Sequence, residues 1–258
     1  MGPDTVIYLL DASRSHTVPE NHLRAASRGV LVVDRYAAYK AMIWVKDGVL
    51  VLAFCWAHVR RDFIRVGKGW PESKSWALEW LRRIRALYRL NDHRLAAQED
   101  AAAFGEADGR LRHAVAEMKA AMESERARGD LAAPCRKALE SLREHWDGLT
   151  RFVDDPRIPM DNNASERRAR GPAVARKNFY GSGALWSGRL AAALFSLFAT
   201  LSLWRLDARK WLTWYFEHCA MAGGKVPKDI QPFLPWNLDA GKRGELRERG
   251  LAEGNDTS

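Results

Sequence analysis

Cysteine is scarce in this sequence, which has only Cys55, Cys135 and Cys219 among its 258 residues. A sparse, odd set in a chain of this length does not suggest the disulfide framework of a small secreted domain, and it favours a reducing cytosol. The N-terminus has no basic stretch followed by a long apolar run, so no signal peptide is predicted. These absences predict a cytoplasmic protein.

Long hydrophobic runs are also lacking. The most apolar stretch, residues 190–204, contains serine and threonine. It falls short of the roughly 20 apolar residues that a membrane-spanning helix needs. We therefore expect a soluble protein with no membrane partner. The length permits one large domain, or one domain with a sizeable insertion, because single cores stop growing near roughly 250 residues.

Acidic residues are in deficit, with 32 of them against 41 lysines and arginines, for a formal net charge of +9. The excess is local. Residues 165–215 carry nine basic and two acidic residues, whereas residues 71–155 carry 15 basic and 16 acidic residues. A concentrated basic stretch of this kind favours contact with the backbone of a nucleic acid.

Short apolar runs predict three β-strands near the N-terminus, over residues 6–10, 29–34 and 49–55. The second run is apolar on both faces, as buried parallel strands are. Helices are predicted between the strands, over residues 17–28 and 36–44. Strands that alternate with helices indicate an α/β core.

Helical periodicity dominates residues 71–155, where Trp76, Trp80 and Ile84 share one face. Because tryptophans favour burial, a packed helical bundle is a better interpretation than a solvated coiled coil. Other predicted segments are a helix over 161–170, a buried helix over 188–204, a helix over 207–221, an irregular glycine-rich stretch over 171–187 and a frayed or disordered end over 240–258. The predicted domains are residues 1–70, the first part of the core; 71–155, a helical insertion; 156–222, the second part of the core; and 223–258, a partly disordered tail.

Asp34 ends the second predicted strand. Open α/β sheets place their ligand sites at the carboxyl ends of strands, so a carboxylate here is well placed to bind a cation. An aspartate that caps the next helix is an equally good interpretation of this residue alone.

Asp161 begins a second candidate segment, because aspartate is a favoured helix N-cap. A helix that starts there places Glu166 and Arg170 on one face, four residues apart. A carboxylate beside guanidinium groups suits a metal ligand next to phosphate contacts. Taken alone, a surface helix with an ordinary ion pair is the simpler interpretation.

Cys55 and His58 have the spacing of half a zinc site. No second pair follows them, so we favour a packed cysteine and a hydrogen-bonded histidine at a strand end. Arg60 and Arg61 come directly afterwards and are candidates for contact with a nucleic-acid backbone.

Taken together and in order, these segments resemble the motifs of insertion-sequence-66-type transposases of the DDE class. The run from Gly29 to Lys40, with Asp34, is similar to the second catalytic-acid motif of that family, and the run from Cys55 to Phe63 is similar to its Cys-x-x-His motif. The glutamate motif is matched by Asp161-Asn162-Asn163, Glu166-Arg167, Arg170, Arg176-Lys177-Asn178 and Gly181-Ser182. The resemblance extends from about residue 6 to residue 220.

The resemblance implies a ribonuclease-H-like fold in which carboxylates hold two Mg²⁺ or Mn²⁺ ions for attack on DNA phosphodiesters. Asp34 and Glu166 would be catalytic metal ligands, the second and third acids of the triad. Contacts to DNA would come from Arg60, Arg61, Arg167, Arg170, Arg176 and Lys177, and motif or structural roles from Cys55, His58, Asp161, Asn162 and Asn163. The implied partners are the ends of the element and the target DNA, bound by a homo-oligomer in a bacterial cytoplasm.

The first acid of the triad has no clear counterpart. Asp11 precedes Asp34 by 23 residues, which leaves room for one helix and not for the two strands and helix that the fold requires. The fold would place Asp11 about three strand spacings, roughly 14 Å, from the strand of Asp34. That is too far to share metal ions about 4 Å apart. We therefore expect an N-terminally truncated core that is inactive alone.

Other classes of function remain open at this point. A non-catalytic DNA-binding remnant that associates with intact transposase would bind DNA in a salt-dependent way without cleaving it. A resolvase-like nuclease of the same fold is less favoured because of the strand-transfer motifs. A purely structural scaffold does not explain the local concentration of positive charge.

Overall fold

A computed structural model describes residue 2 and residues 4–13, 15–24, 28–178 and 183–247, apart from the side chains at positions 176 and 178. The chain divides into two compact units. The first unit contains residues 13–164, and the second combines residues 1–12 with residues 165–258. Each unit has a hydrophobic core of its own.

The first unit contains two strands and eight helices among its described residues. In chain order they are α1 (Thr17–His22), β1 (Gly29–Val33), α2 (Ala37–Ala41), α3 (Ile43–Lys46), β2 (Leu50–Phe54), α4 (Trp56–Gly69), α5 (Lys74–Ala96), α6 (Ala101–Arg126), α7 (Ala133–Glu144) and α8 (Trp146–Asp154). A single 3-10 turn, Pro71–Ser73, links α4 to α5.

The strands β1 and β2 pair in parallel, with Gly29 opposite Leu50 and Val33 opposite Phe54. Parallel strands need a crossover connection, and here α2 and α3 supply it. Because the two strands run in the same direction and end in register, the residues that follow them lie at the same edge of the sheet. The predicted strands over 29–34 and 49–55 are confirmed.

Helices α4 to α8 pack around buried aromatic side chains. The rings of Phe63 and Trp80 stack with their centroids 5.3 Å apart, and both side chains are fully buried. Trp76 contacts both rings. The indole nitrogens of Trp76 and Trp80 donate to one carboxylate oxygen of Glu125, at 2.6 and 3.0 Å, so their burial leaves no indole N–H without an acceptor. The predicted helical character of this stretch is confirmed.

Helix α8 packs against β2 at Gly148. A Cβ atom at this position would lie 2.4 Å from a ring carbon of Phe54 and 3.1 Å from the carbonyl oxygen of Leu52. Only glycine allows the helix to approach the strand this closely. Arg151, one turn later, donates from Nε to the Leu52 carbonyl at 3.0 Å and so ties α8 to the sheet.

Among its described residues, the second unit contains three longer α-helices and a short one. They are α9 (Asn163–Asn178), which begins at the end of the first unit, α10 (Leu185–Leu203), α11 (Ala208–Met221) and α12 (Ala240–Glu245). The core of this unit contains Leu201, Trp211, Phe233, Leu238 and Leu246. Residues 231–247, which the sequence places in the tail, therefore fold back on α11; residues 248–258 lie outside the described residues.

The prediction of a strand over residues 6–10 is wrong. This segment is extended, but it packs along α10 and pairs with no strand in the described part of the chain. The N–H groups of Val6 and Tyr8 donate to the hydroxyls of Thr200 and Ser196, at 3.1 and 2.9 Å. Thr200 and Ser196 lie four residues apart on one face of α10, and their hydroxyls accept the backbone hydrogen bonds that a neighbouring strand would otherwise accept.

The predicted helix over 161–170 is longer in the structure, because α9 continues to Asn178 through Pro172. The expectation of an irregular segment from residue 171 is wrong as far as residue 178. Within the described ranges, the architecture is mostly helical with one pair of parallel strands. The ribonuclease-H-like assignment of that α/β element stays a prediction.

The apolar helix α10 is longer than the sequence run over 190–204 indicated. Its length and mean hydropathy of 1.3 meet the criteria for crossing a membrane, which core helices of soluble proteins also meet. The prediction that the helix over 188–204 is buried is wrong, because only 17% of the apolar window of α10 is buried. Trp186, Leu190, Leu194 and Phe198, spaced four residues apart, are exposed.

Candidate active site

Asp34 directly follows β1, at the carboxyl edge of the sheet. Its Oδ1 atom accepts a hydrogen bond of 3.1 Å from the backbone N–H of Tyr36, which closes a short turn and fixes the carboxylate. Among the described residues, the other oxygen has no hydrogen-bond partner. Tyr39 lies nearby: burial, with the charge of Asp34 second, raises the pKa of its hydroxyl. Asp34 thus offers one oriented carboxylate oxygen to a ligand.

The Cys-x-x-His segment starts at the same edge, because Cys55 follows β2. The backbone N–H of Cys55 donates to the carbonyl of Val33 at 3.1 Å. Cys55 therefore extends the hydrogen bonding between β1 and β2 by one residue beyond the end of β2. The Cys55 side chain is buried, and burial raises the pKa of its thiol. A buried, protonated thiol is a packing group and not a reactive one.

The Asp161-Asn162-Asn163 segment docks on this edge from a distant part of the sequence. The backbone N–H of Trp56 donates to the carbonyl of Met160 at 2.9 Å, and the N–H of Asn162 contacts the sulfur of Cys55 at 3.5 Å. The Trp56 indole donates to the Leu149 carbonyl at 2.8 Å. Three motifs of the sequence therefore meet at the end of one strand pair.

Asp161 organises the turn into α9, but it is not the helix N-cap. The helix begins at Asn163, two residues later. Oδ1 of Asp161 accepts from the Asn163 N–H at 3.0 Å, and Oδ2 accepts from the Asn163 side-chain amide at 2.8 Å and from the hydroxyl of Tyr88 at 3.0 Å. Burial, then the charge of Asp161, raises the pKa of Tyr88 well above its usual value, so Tyr88 remains a donor.

Arg35, which follows Asp34, is a residue that the sequence did not single out. Its guanidinium donates to the Ser141 hydroxyl at 2.7 Å, to the His58 carbonyl at 3.3 Å and to the carboxylate of Asp62. It therefore connects the end of β1 to α4 and α7. Tyr88 was likewise missed as a site residue. Its spacing from Trp80 and Ile84 predicted only that it lies on the buried face of a helix. Neither role has a local sequence signal.

His58 and the two arginines after it lie on the first turns of α4. His58 is half-buried, and its Nε2 lies 3.2 Å from a guanidinium nitrogen of Arg61. Arg60 and Arg61 are exposed. Within the residues that the structure describes, no three histidine, cysteine or acidic side chains form a group that could hold a metal ion.

Glu166 lies on α9 and belongs to the second unit, whereas Asp34, Cys55 and Asp161 belong to the first. Glu166 is half-buried, and Arg170 follows it by one turn on the same helix face. Arg167, Arg170 and Lys177 are exposed. The side chain of Arg176 lies outside the described residues, as do Gly181 and Ser182.

Asp34 and Glu166 lie in different units, and each offers carboxylate oxygens, the ligands that Mg²⁺ and Mn²⁺ prefer. The second oxygen of Asp34, which has no hydrogen-bond partner among the described residues, is consistent with such a role.

Comparison with known proteins gives the same assignment as the motifs. The family profile described as "Transposase IS66 family" matches residues 2–190. Three uncharacterized proteins of Sinorhizobium fredii are similar over most of this chain. They are y4jD, 31% identical over 94% of this chain and 47% of its own length; y4qI, 29% identical over 92% and 44%; and y4hP, 28% identical over 91% and 44%.

The chain spans about half the length of these relatives. No solved structure matches it significantly. The family match covers most of the chain and includes Asp34, the Cys55–His58 segment and the segment from Asp161 to Arg170. This chain belongs to the IS66 family of transposases.

Proposed function

We propose that this chain is the core of a DDE-type DNA transposase, an enzyme class that cleaves phosphodiester bonds and transfers strands on insertion-sequence DNA, and that it is inactive alone because the first acid of the triad has no counterpart. The observation that carries the proposal is the meeting of Asp34, Cys55 and the Asp161–Asn163 turn at the carboxyl edge of the parallel strands. Ligand sites of open α/β sheets occupy this edge. Membership of the IS66 family supports the same reaction.

In this proposal, Asp34 and Glu166 hold Mg²⁺ or Mn²⁺ as the second and third acids of the triad. The bound ions would polarise the phosphate and lower the pKa of the attacking water. The amide of Tyr36 holds one oxygen of Asp34, and therefore orients the other. The contacts of Asp161 with Asn163 and Tyr88 fix the start of α9, the helix that carries Glu166.

The proposed partner is DNA, both the ends of the element and its target. Arg60 and Arg61 on α4, and Arg167, Arg170 and Lys177 on α9, are exposed and suit contacts with phosphates. Arg176 belongs to the same proposed set. We further propose that the protein acts as a homo-oligomer on DNA in the cytoplasm of a bacterium.

A second candidate function is DNA binding without cleavage, in association with intact transposase. One observation favours it: among the described residues, no three metal-binding side chains are grouped together. The proposal assigns only two of the three acids. Asp11 belongs to the second unit and follows a segment that packs on α10, and the proposal gives it no role. In this alternative the chain binds the phosphates of DNA but does not cleave phosphodiester bonds.

A cleavage assay with Mg²⁺ or Mn²⁺ on DNA that carries the ends of the element tests both candidates. The variants are Asp34→Asn and Glu166→Gln. Matched controls are Asp47→Asn and Glu72→Gln, which remove exposed acids from the same chain. Because the first acid of the triad has no counterpart, we expect no cleavage by the unaltered chain alone. Cleavage that is lost in both site variants and unchanged in both controls would show instead that the metal site is complete in this chain.

Cleavage that survives in both Asp34→Asn and Glu166→Gln contradicts the proposed catalytic residues. Absence of cleavage by the unaltered chain, together with DNA binding that weakens steeply with salt, is the result expected both of a core without its first acid and of the second candidate. If the chain binds no DNA at any salt concentration, both candidates are wrong.

A further inference from the structure

A cavity of about 480 Å³ lies beside Arg35, between one face of α4 and one face of α7. Its volume is within the range of about 300–1,000 Å³ typical of ligand pockets. Residues 62, 65 and 66 line it from α4, and residues 134, 137, 138 and 141 line it from α7. These spacings of three and four residues are those of single helix faces, so two rigid elements form the walls.

The polar lining of this pocket is mainly cationic. Arg35, Arg65 and Lys137 contribute three positive charges, and Asp62 contributes one negative charge. Arg35 and Arg65 share Asp62 as their partner. Lys137 is exposed, and no carboxylate pairs with it among the described residues. The pocket therefore carries a net positive charge and a lysine available for an anionic group.

His145 closes one end of the pocket without adding charge. Its Nε2 atom lies 2.7 Å from the ammonium of Lys40, and its ring packs edge-on against Phe54. Burial lowers the pKa of His145. The neighbouring Lys40 pairs with Glu144 at 2.8 Å, so these two charges offset each other. The unbalanced positive charge is thus at Lys137 and the arginines.

Trp70 is at the rim of the same pocket, directly after α4. Its side chain is 43% exposed, unlike the buried Trp80 and Trp56. Within the part of the chain that the structure describes, its indole makes no contact with another ring. A flat, exposed aromatic side chain beside a net positive charge is the arrangement that binds a nucleotide, with the base on the ring and the phosphate on the cations.

We propose that this pocket binds one unpaired nucleotide of a DNA strand, with its base against Trp70 and its phosphate at Lys137 and Arg65. The proposal rests on the proposed function, since the nucleotide belongs to the DNA that the chain would process. Arg35 lines the pocket and directly follows Asp34, so the bound nucleotide lies near the end of β1. The pocket would hold a strand that has been separated from its complement next to the proposed site.

The test compares binding of a labelled oligothymidylate with binding of an abasic strand of equal length, by fluorescence anisotropy over a range of salt concentrations. The variants are Trp70→Ala, Trp70→Phe and Lys137→Ala. Trp236→Ala is the matched control for an exposed tryptophan, and Lys119→Ala for an exposed lysine without a partner in the described residues. Neither control residue lines the pocket.

We expect Trp70→Ala to weaken binding of oligothymidylate about tenfold and to leave binding of the abasic strand unchanged, because only the former has bases to stack. Trp70→Phe should restore most of the affinity. Lys137→Ala should weaken binding of both strands. It should also reduce the slope of log affinity against log salt concentration by about one, since it removes one phosphate contact. Both controls should bind as the unaltered chain does.

The proposal is overturned if Trp70→Ala and Trp236→Ala weaken binding of oligothymidylate equally. It is also overturned if Trp70→Ala weakens binding of the abasic strand as much as binding of oligothymidylate. A third outcome would refute only the proposed nucleotide pocket: the unaltered chain binds duplex DNA in a salt-dependent way, but neither Trp70→Ala nor Lys137→Ala changes its affinity for single strands. Failure of the unaltered chain to bind either form of DNA would refute both the pocket and the proposed function.

Discussion

The hydroxyl of Tyr8 donates a hydrogen bond of 2.7 Å to the backbone carbonyl of Arg168. Arg168 lies four residues before Pro172, which is inside α9. Proline has no N–H, so the carbonyl four residues earlier loses its usual helical donor. Tyr8 supplies the missing donor from the N-terminal segment, which explains how α9 accommodates an internal proline. Burial raises the pKa of Tyr8, which keeps the hydroxyl protonated.

Removing this hydroxyl should destabilise the protein only where the proline is present. We expect Tyr8→Phe to lower the free energy of unfolding by about 1 kcal/mol, because the Arg168 carbonyl is left without a donor. Pro172→Ala restores an N–H within the helix, so Tyr8→Phe should cost much less in that background. Urea unfolding of the four proteins in this double-mutant cycle measures the difference. An equal cost in both backgrounds would contradict the compensation.

The contact of α8 with β2 predicts a large asymmetry between two glycine substitutions. Gly148→Ala should lower the free energy of unfolding by about 1–3 kcal/mol, because the added methyl group overlaps the ring of Phe54. Gly109→Ala, within α6, meets no atom within 4 Å and should stabilise the helix by about 0.5–1 kcal/mol. Thermal unfolding of both variants checks this. A Tm for Gly148→Ala equal to that of the unaltered chain would show that α8 can move away from the strand.

The parts of the fold that could be predicted from sequence are those with a local pattern. Runs of β-branched residues predicted β1 and β2, with Asp34 and Cys55 as the last residues of the predicted strands; in the structure both residues directly follow the strands. Periodic tryptophans and leucines predicted the helical character of residues 71–155, where α5 to α8 lie. In each case, the physical determinant lies within a few neighbouring residues.

The errors come from contacts between residues that are far apart in the sequence. The segment over residues 6–10 has the pattern of a strand, but its N–H groups find hydroxyl acceptors 188 and 194 residues away on α10. Gly171 and Pro172 predict a helix end, yet the hydroxyl of Tyr8 compensates for the proline and α9 continues. The three contacts of Arg35 likewise depend on which helices pack against β1.

The buried guanidinium of Arg94 predicts a pH-dependent contribution to stability. Arg94 is fully buried and donates to Asp108 at 3.0 Å and to the carbonyls of Phe152 and Val153. Burial acts to raise the pKa of Asp108, but hydrogen bonds from Arg112 and Arg94 outweigh it and hold the pKa below its usual value of 3.8. The ionised carboxylate therefore stabilises the folded state above that value, and the stabilisation is lost as the pH falls through the folded-state pKa.

We expect Asp108→Asn to destabilise the protein by about 3 kcal/mol at neutral pH, because it leaves a buried guanidinium without its counter-charge. The difference from the unaltered chain should shrink below about pH 4, where the carboxylate of the unaltered chain begins to protonate. Urea unfolding of both proteins between neutral and acidic pH measures it. Asp147→Asn, an exposed acid on α8, is the control. A difference that does not change with pH would contradict the role of the charge.

The last prediction concerns how the end of β1 is held next to α4 and α7. The guanidinium of Arg35 reaches Ser141, the His58 carbonyl and Asp62 at once, and its side chain is 16% exposed. An ammonium group keeps the charge but cannot present donors to three partners in one plane. Arg35→Lys should therefore lower the free energy of unfolding by about 1–3 kcal/mol.

The matched control is Arg65→Lys. Arg65 pairs with the same carboxylate, Asp62, but its side chain is 75% exposed. Exposed ion pairs contribute little, so Arg65→Lys should change stability by less than about 0.5 kcal/mol. Thermal and urea unfolding compare the two variants. If both variants change the free energy of unfolding by the same small amount, Arg35 makes only an ordinary surface ion pair. The packing of α4 and α7 alone would then have to hold Asp34 in place.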